Sequence, residues 1–175
     1  MKRASMMQYS QLCLAAIVIV AAGGVVGPAQ AATASANATA NVVTPIAIAK
    51  TADLVFGSFT TSAAGQTITV SAAGVRSASG AVPMTGATSA AAFNVTGSGA
   101  LTYAITLPTT VSMITGTGAT AAETMAVTGF TSNPSGTGAL TAGAQLLAVG
   151  GTLTTVAAQV AGAYTGTFNV SVDYN

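Results

Sequence analysis

Charged residues are scarce in this chain of 175 residues. Lysine, arginine, aspartate and glutamate together make up 4% of the sequence, and histidine and tryptophan are absent. A protein that binds nucleic acid needs clustered lysine and arginine to displace the counterions of the phosphates. The composition therefore excludes nucleic acid as a partner.

The residues that carry most catalytic chemistry are also missing. Acid–base and nucleophilic catalysis usually recruit histidine, cysteine or a pair of carboxylates. The chain has one cysteine, Cys13, and three carboxylates in distant segments, Asp53, Glu123 and Asp173. Calcium needs clustered carboxylates. We therefore expect no enzymatic activity, no cofactor and no metal site, and we interpret Arg76 as a solvated loop charge.

The first thirty-one residues have the pattern of a cleaved secretory signal. Lys2 and Arg3 precede an apolar run at 12–27, and "AQA" at 29–31 offers small residues for a signal peptidase. The run is shorter than the roughly 20 apolar residues of a spanning helix. We expect residues 1–31 to be removed and the product to be exported to the periplasm, the outer surface or the medium, with no membrane span left.

Cleavage at this point changes the charge and the redox chemistry of the chain. Cys13 would leave with the signal, so no disulfide is expected. Two basic and three acidic residues would remain, which gives a formal net charge of −1. Because so little charge opposes association, an assembled form is favoured over a free monomer.

The remaining chain is patterned as short β-strands. Threonine and valine, which favour strands, alternate with period 2 between turns rich in glycine and serine. The predicted strands are 41–48, 53–59, 66–72, 91–97, 101–108, 110–114, 124–130, 144–155 and 164–174. Their spacing is typical of an all-β sandwich, and we predict one such domain of about seven to nine strands over residues 32–175.

Both ends of this domain carry strand patterns. At the N-terminal end, small apolar residues alternate with Thr, Ser and Asn over 32–41, as in a donor strand made for insertion into another sheet. The predicted donor residues are Ala32, Ala34, Ala36, Ala38, Ala40 and Val42. At the C-terminal end, "GAYTGTFNVSVDYN" predicts an edge strand with Gly162, Tyr164, Phe168, Val170, Val172 and Tyr174 on one face.

Two families resemble parts of this sequence. Gly162, fourteenth from the end, and penultimate Tyr174 resemble the C-terminal signature of bacterial chaperone–usher pilins. That resemblance implies an immunoglobulin-like sandwich whose missing strand comes from a chaperone or from the next subunit. A second family is resembled by the segments "KTADLVFGSF", "FTSNPSGTGAL", "VGGTL" and "YTGTFNVSVDYN". It is a family of small secreted β-proteins of Gram-negative bacteria, domain of unknown function 4402. That resemblance implies a secreted β-sandwich and brings no assigned activity or catalytic residues.

Two functions follow as expectations. One is a non-enzymatic, fimbria-like or surface fibre subunit that assembles by strand exchange, with self-association or a periplasmic chaperone as partner. The other is a self-complemented monomer that binds a surface glycan or another cell-surface ligand through exposed Thr, Ser, Asn and Tyr. The sequence leaves both open, because residues 32–48 could equally be the first strand of a closed sandwich.

Overall fold

The computed structural model describes residues 30–61 and 64–175 and divides the chain into two compact units, residues 1–40 and residues 41–175. In the first unit, residues 30–40 form no helix or strand, and their side chains are exposed. The predicted signal peptide lies outside the described residues except for Gln30 and Ala31. Within the described ranges, no helix is long and apolar enough to cross a membrane.

The second unit is built almost entirely of antiparallel strands, which confirms the all-β prediction. Its described residues form twelve strands: β1 Ala47–Ala52, β2 Ser58–Phe59, β3 Gln66–Val70, β4 Arg76–Ala78, β5 Met84–Thr85, β6 Ala91–Thr96, β7 Thr102–Thr106, β8 Thr110–Ile114, β9 Thr124–Asn133, β10 Thr137–Ala139, β11 Ala144–Thr155 and β12 Ser171–Tyr174. A single 3-10 turn, Ala121–Glu123, precedes β9. The predicted number of strands was too low because β4, β5 and β10 have only two or three residues each.

The largest sheet has seven strands arranged around β11. Along one edge of β11 lies β9, and along the other edge β3 and β6 follow one another, because β3 pairs with 151–155 and β6 with 144–149. Strand β8 extends the sheet beyond β9, β4 beyond β3 and β1 beyond β6. The long strand β11 therefore connects both halves of the sheet.

Two smaller sheets complete the unit. The first has the order β10-β7-β12, and the second is the pair β2 and β5. Each contact is antiparallel. Among the described strands, β12, the C-terminal strand, pairs with β7 alone.

The core consists of two clusters of buried side chains. The first joins Phe93 and Leu147 of the seven-stranded sheet to Tyr103 and Val172 of the three-stranded sheet, so these sheets pack face to face. The second is formed by Phe56, Ile68, Val70, Met125, Val127 and Leu153. Full burial of each large aliphatic side chain contributes about 1.5 to 3 kcal/mol. Alternation along the strands is what delivers these side chains to one face.

Two predicted strands begin later than the alternation suggested. Residues 41–46 form no strand, since Pro45 has no amide hydrogen to give to a ladder. Of 53–59, only β2 is a strand, although Val55 forms an isolated bridge with Ser89. The interpretation of Arg76 as a solvated loop charge was wrong, because this half-buried residue begins β4 and bonds to two carbonyl groups.

Candidate functional site

The predicted donor residues lie in a segment without secondary structure. Ala32, Ala34, Ala36, Ala38 and Ala40 belong to the first unit and Val42 to the second. All six side chains are exposed, and Val42 is 94% exposed. No charged residue occurs between Ala32 and Lys50. We call residues 32–42 the arm.

The strand at the C-terminal end is shorter than the alternation of residues 164–174 predicts. We call residues 160–174 the C-terminal segment. Only Val172 and Tyr174 of the six chosen residues lie in β12, and the prediction of a continuous strand over 164–174 was wrong. The reason is that this segment changes sheets. Thr165 forms a bridge to Ile114 of β8, whereas Ser171 pairs with Thr106 of β7, so the chain must leave one ladder before it joins the other.

The alternation of this segment is nevertheless expressed in its packing. Val172 is buried, and Tyr164, Phe168, Val170 and Tyr174 are half-buried between exposed neighbours. The ring of Phe168 meets Phe93 edge-on at 6.4 Å and Phe130 at 5.2 Å between centroids. Such aromatic pairs add about 0.5 to 1.5 kcal/mol beyond burial. The segment is thereby anchored without a continuous ladder.

Tyr174 connects the C-terminal end of the second unit to the N-terminal end of the same unit. Its hydroxyl donates to the carbonyl oxygen of Thr44 at 2.9 Å and accepts from the amide of Ser98 at 2.6 Å. Thr44 is the second residue after the arm, and Ser98 lies in the turn after β6. The penultimate tyrosine therefore holds the segment that leads into β1.

Gln159 fixes the other end of the C-terminal segment. This side chain is 5% exposed, and its amide nitrogen donates to the carbonyl oxygens of Ala122 and Thr124 at 2.6 and 2.9 Å. Its carbonyl oxygen accepts from the amide of Val156 at 3.0 Å. The hydroxyl of Tyr164 lies 3.0 Å from the same amide nitrogen. These bonds position residues 160–164 beside the 3-10 turn.

Glycines let this segment lie close to β8. A Cβ atom at Gly166 would be 2.6 Å from the carbonyl oxygen of Ser112, and one at Gly162 would be 2.6 Å from Oγ1 of Thr115. Both distances are too short for a real side chain. Gly162, chosen from sequence as part of a terminal signature, thus lies at a point of close approach between two segments.

The segment that follows β1 faces the start of the C-terminal segment across a groove of about 750 Å³. One rim is residues 54–61 and the other is residues 160–164. The floor comes from the second core cluster and its neighbours, chiefly Met113, Met125 and Leu153. We call this space the rim groove. None of the described residues that line it is charged.

The first rim is held from one side. Val55 exchanges two backbone bonds with Ser89, and β2 pairs with β5. Nη1 of Arg76 donates to the carbonyl oxygens of Phe56 and Thr85, both at 3.0 Å. This guanidinium therefore links β4 to the rim.

The ionisable groups are arranged without a reactive cluster. Lys50 and Asp53 form an exposed ion pair at 2.6 Å. Oε2 of Glu123 accepts from the amides of Ala119 and Thr120 at 3.0 and 3.2 Å. Asp173 is exposed on β12. In the part of the chain that the structure describes, no three His, Cys, Asp or Glu residues come together as metal ligands would.

One buried phenol has a perturbed acidity. Tyr103 is fully buried, and its hydroxyl donates to Oε1 of Gln145 at 2.8 Å. Burial raises the pKa of Tyr103 above its ordinary value, because a phenolate would lose its hydration there. Gln145 also accepts from the amide of Ala139, which ties β10 to β11. The group belongs to the core and not to the rim groove.

A second surface carries rows of hydroxyl groups across the outer face of the seven-stranded sheet. Directly opposed residues of antiparallel strands share a face, and their neighbours Ile68, Val127 and Leu153 point into the core. The first row is Ser77, Thr69, Thr152, Thr128 and Thr110. The second row is Ser79, Thr67, Thr154, Ala126 and Ser112. We call these ten residues, none of them charged or aromatic, the hydroxyl face.

Comparison with known proteins identifies the domain. A family model described as Domain of unknown function (DUF4402) matches residues 46–174. The chain belongs to this family. The resemblance to it noted from the sequence is confirmed, whereas the pilin-like C-terminus stays a prediction. No curated protein and no solved structure matches the chain. The arm precedes the matched DUF4402 domain, which includes both rims of the groove.

Sequence reasoning missed several residues that build this site. Gln159 is an isolated polar residue in "TVAAQVAG", and nothing in that stretch distinguishes a buried glutamine from a solvated one. Arg76 and the rim 54–61 were missed because their partners are remote in sequence. For the first rim, the interruption of alternation at Gly57 was the one available signal that the chain bends there.

Proposed function

We propose that this DUF4402 protein is a non-enzymatic, exported structural subunit that assembles into a fibre by strand exchange. The arm of one copy is the donor strand, and the C-terminal segment of the next copy forms part of the acceptor site. The observation that carries the proposal is the combination of an exposed, uncharged, alternating arm with a C-terminal strand that has one ladder partner.

The energetics are sufficient for an arm of small residues. Burial of five methyl groups contributes roughly 4 kcal/mol at about 0.8 kcal/mol each. Each new backbone bond adds a net of about 0.5 to 1.5 kcal/mol, so the ladder contributes as much as the side chains. An unpaired edge is an aggregation hazard until it is covered, which is why a periplasmic chaperone fits this function as a partner during export.

Proline substitutions in the arm test this function. Proline removes a ladder donor, so we expect the double variant Ala36→Pro, Ala38→Pro of the exported protein to lose at least tenfold in oligomer yield. Ala36→Val serves as the matched control, since valine suits a strand, and it should assemble. Size-exclusion chromatography and negative-stain microscopy give the readout. Equal assembly of the proline variant and the parent, or a monomeric parent, would refute strand exchange.

The hydroxyl face favours a second function, the binding of a neutral surface polysaccharide. Its two rows carry nine hydroxyl groups in register and no charge, and the hydroxyl oxygens of Thr69 and Thr152 already lie 2.9 Å apart. The test is glycan-array binding by the parent, by Thr128→Val within the rows and by Thr106→Val outside them. Binding that is lost in the first variant alone supports this function, and no glycan binding by the parent rejects it.

A further inference from the structure

The backbone–backbone bonds of the described groove rims go to residues that do not line the groove. On the first rim, the amide of Val55 donates to Ser89 and that of Thr60 to Pro83. On the second rim, the amide of Val160 donates to Ala122, and Thr165 beyond it pairs with Ile114. Among the described residues, no backbone bond joins residues 54–61 to residues 160–164. The two described rims are therefore not paired with each other, and the side-chain bonds to their carbonyl oxygens are those of Phe56, Thr60 and Val160.

The floor between the rims is apolar and adaptable. Phe56, Met125 and Leu153 are buried members of the second core cluster, and Met113 packs against them. Methionine side chains adjust to irregular neighbours. The volume of about 750 Å³ lies in the range of about 300 to 1,000 Å³ that ligand sites occupy. The groove thus fits an uncharged occupant that offers backbone groups on both sides and small apolar side chains below.

We propose that the rim groove receives the arm of a second copy of the chain. This inference rests on the proposed strand exchange and names its acceptor. The arm has eleven residues and reaches about 36 Å when extended, whereas the eight residues of the first rim reach about 26 Å. The arm and the described lining of the groove both lack charged side chains. Val42, 94% exposed in the arm, gains burial by docking.

The rim groove is a better acceptor than the outer edge of β12. Strand β12 has four residues and offers one edge, so an added strand would form a short ladder on one side. A strand between the two rims can pair on both sides, which doubles the backbone bonds for each residue it orders. Alanine side chains also let two rims approach an inserted strand, whereas leucine would hold them apart.

Thiol cross-linking distinguishes the two acceptors. Cys13 is the only cysteine, so a Cys13→Ser background carries no other thiol. The donor is the Ala36→Cys variant. It is co-exported with a second variant that carries a different tag. This second variant is either Ala161→Cys, at an exposed residue of the second rim, or Ser171→Cys, at an exposed residue of β12. A bismaleimide should give at least ten times more doubly tagged dimer with Ala161→Cys than with Ser171→Cys. Ala34→Cys and Ala38→Cys repeat the test without assuming a register.

The outcomes separate this inference from the function on which it rests. If fibres form but the dimer appears with Ser171→Cys alone, or with neither partner, the groove is wrong and strand exchange stands. An Ala36→Cys, Ala161→Cys double variant that cross-links only within one chain also overturns the proposal. A protein that stays monomeric refutes the proposed function as well.

A charge on the rim gives an independent test. Val160 lines the groove and is 43% exposed, whereas Ala157 is exposed and lies outside the lining. Val160→Asp should lower oligomer yield at least tenfold, because a carboxylate would have to be desolvated by the docked arm. Ala157→Asp should leave the yield within twofold of the parent. Equal yields from the two variants would contradict docking in the groove.

Discussion

Removal of the Tyr174 hydroxyl should release the segment that leads from the arm into β1. The substitution Tyr174→Phe keeps the ring and deletes one bond to the carbonyl oxygen of Thr44 and one from the amide of Ser98. Each bond contributes a net of about 0.5 to 1.5 kcal/mol. Thr44 is exposed, so water can replace one of them. We therefore expect the free energy of unfolding to fall by about 1 to 2 kcal/mol.

Equilibrium unfolding in urea measures this loss directly. With a slope of about 1 to 3 kcal/mol/M, the midpoint should fall by roughly 0.3 to 2 M while the slope stays constant. The amide of Ser98 should also exchange faster with solvent, because it loses its acceptor. Asn175→Ala, which removes an exposed contact to Thr102, should change the free energy of unfolding by less than about 0.5 kcal/mol.

Two results would refute the reasoning on Tyr174. One is a change in the free energy of unfolding no larger than that of Asn175→Ala. The other is unaltered exchange at Ser98, which would mean that the hydroxyl does not hold the turn after β6. Either would also weaken the view that a penultimate tyrosine links the two ends of the domain.

Two further predictions concern buried polar groups. Gln159→Leu should lower the free energy of unfolding by at least about 2 kcal/mol in urea titrations, since it removes the side-chain partners of the carbonyl of Thr124 and the amide of Val156. The carbonyl of Ala122 keeps its bonds from Val160 and Tyr164. Exposed Ala157→Ser is the control, and equal stability of the two variants would contradict the role given to Gln159. For Tyr103, whose pKa is raised by burial, the unfolded state releases its proton near pH 10 while the folded state keeps it, so stability should be constant below about pH 10 and fall as the pH rises above it. Tyr103→Phe should show a smaller fall over that range, and identical profiles for the two proteins would reject the assignment.

The strands that the sequence predicted best are those with the strongest alternation. Strand β11 was predicted at 144–155 and β8 at 110–114, with the bounds found in the structure. Leu147, Val149 and Leu153 of β11 are fully buried, so the periodic signal was physically meaningful. The short strands β4, β5 and β10 lack this signal because two or three residues cannot display a period.

The C-terminal segment shows the limit of local patterns. Alternation predicted which side chains of 164–174 turn inward, and the burial of Val172 and the packing of Phe168 agree with it. It did not predict that Thr165 would pair with β8 and Ser171 with β7. Alternation with period 2 predicts which side chains share one face of a strand, but it does not predict the neighbouring strand. A segment can therefore turn the same side chains inward while it passes from one sheet to another.

The sequence by itself determined the all-β class and the scarcity of charge, because each depends on residue identities or on spacings within a few residues. Only the tertiary structure decided the pairing order, the burial of Gln159 and the bonding of Arg76. It also decided which segments come together as the two rims of the groove. The reason is that residues that bond to each other in the folded protein can lie far apart in the chain. Gln66 and Thr155, for example, are bonded and are 89 residues from each other.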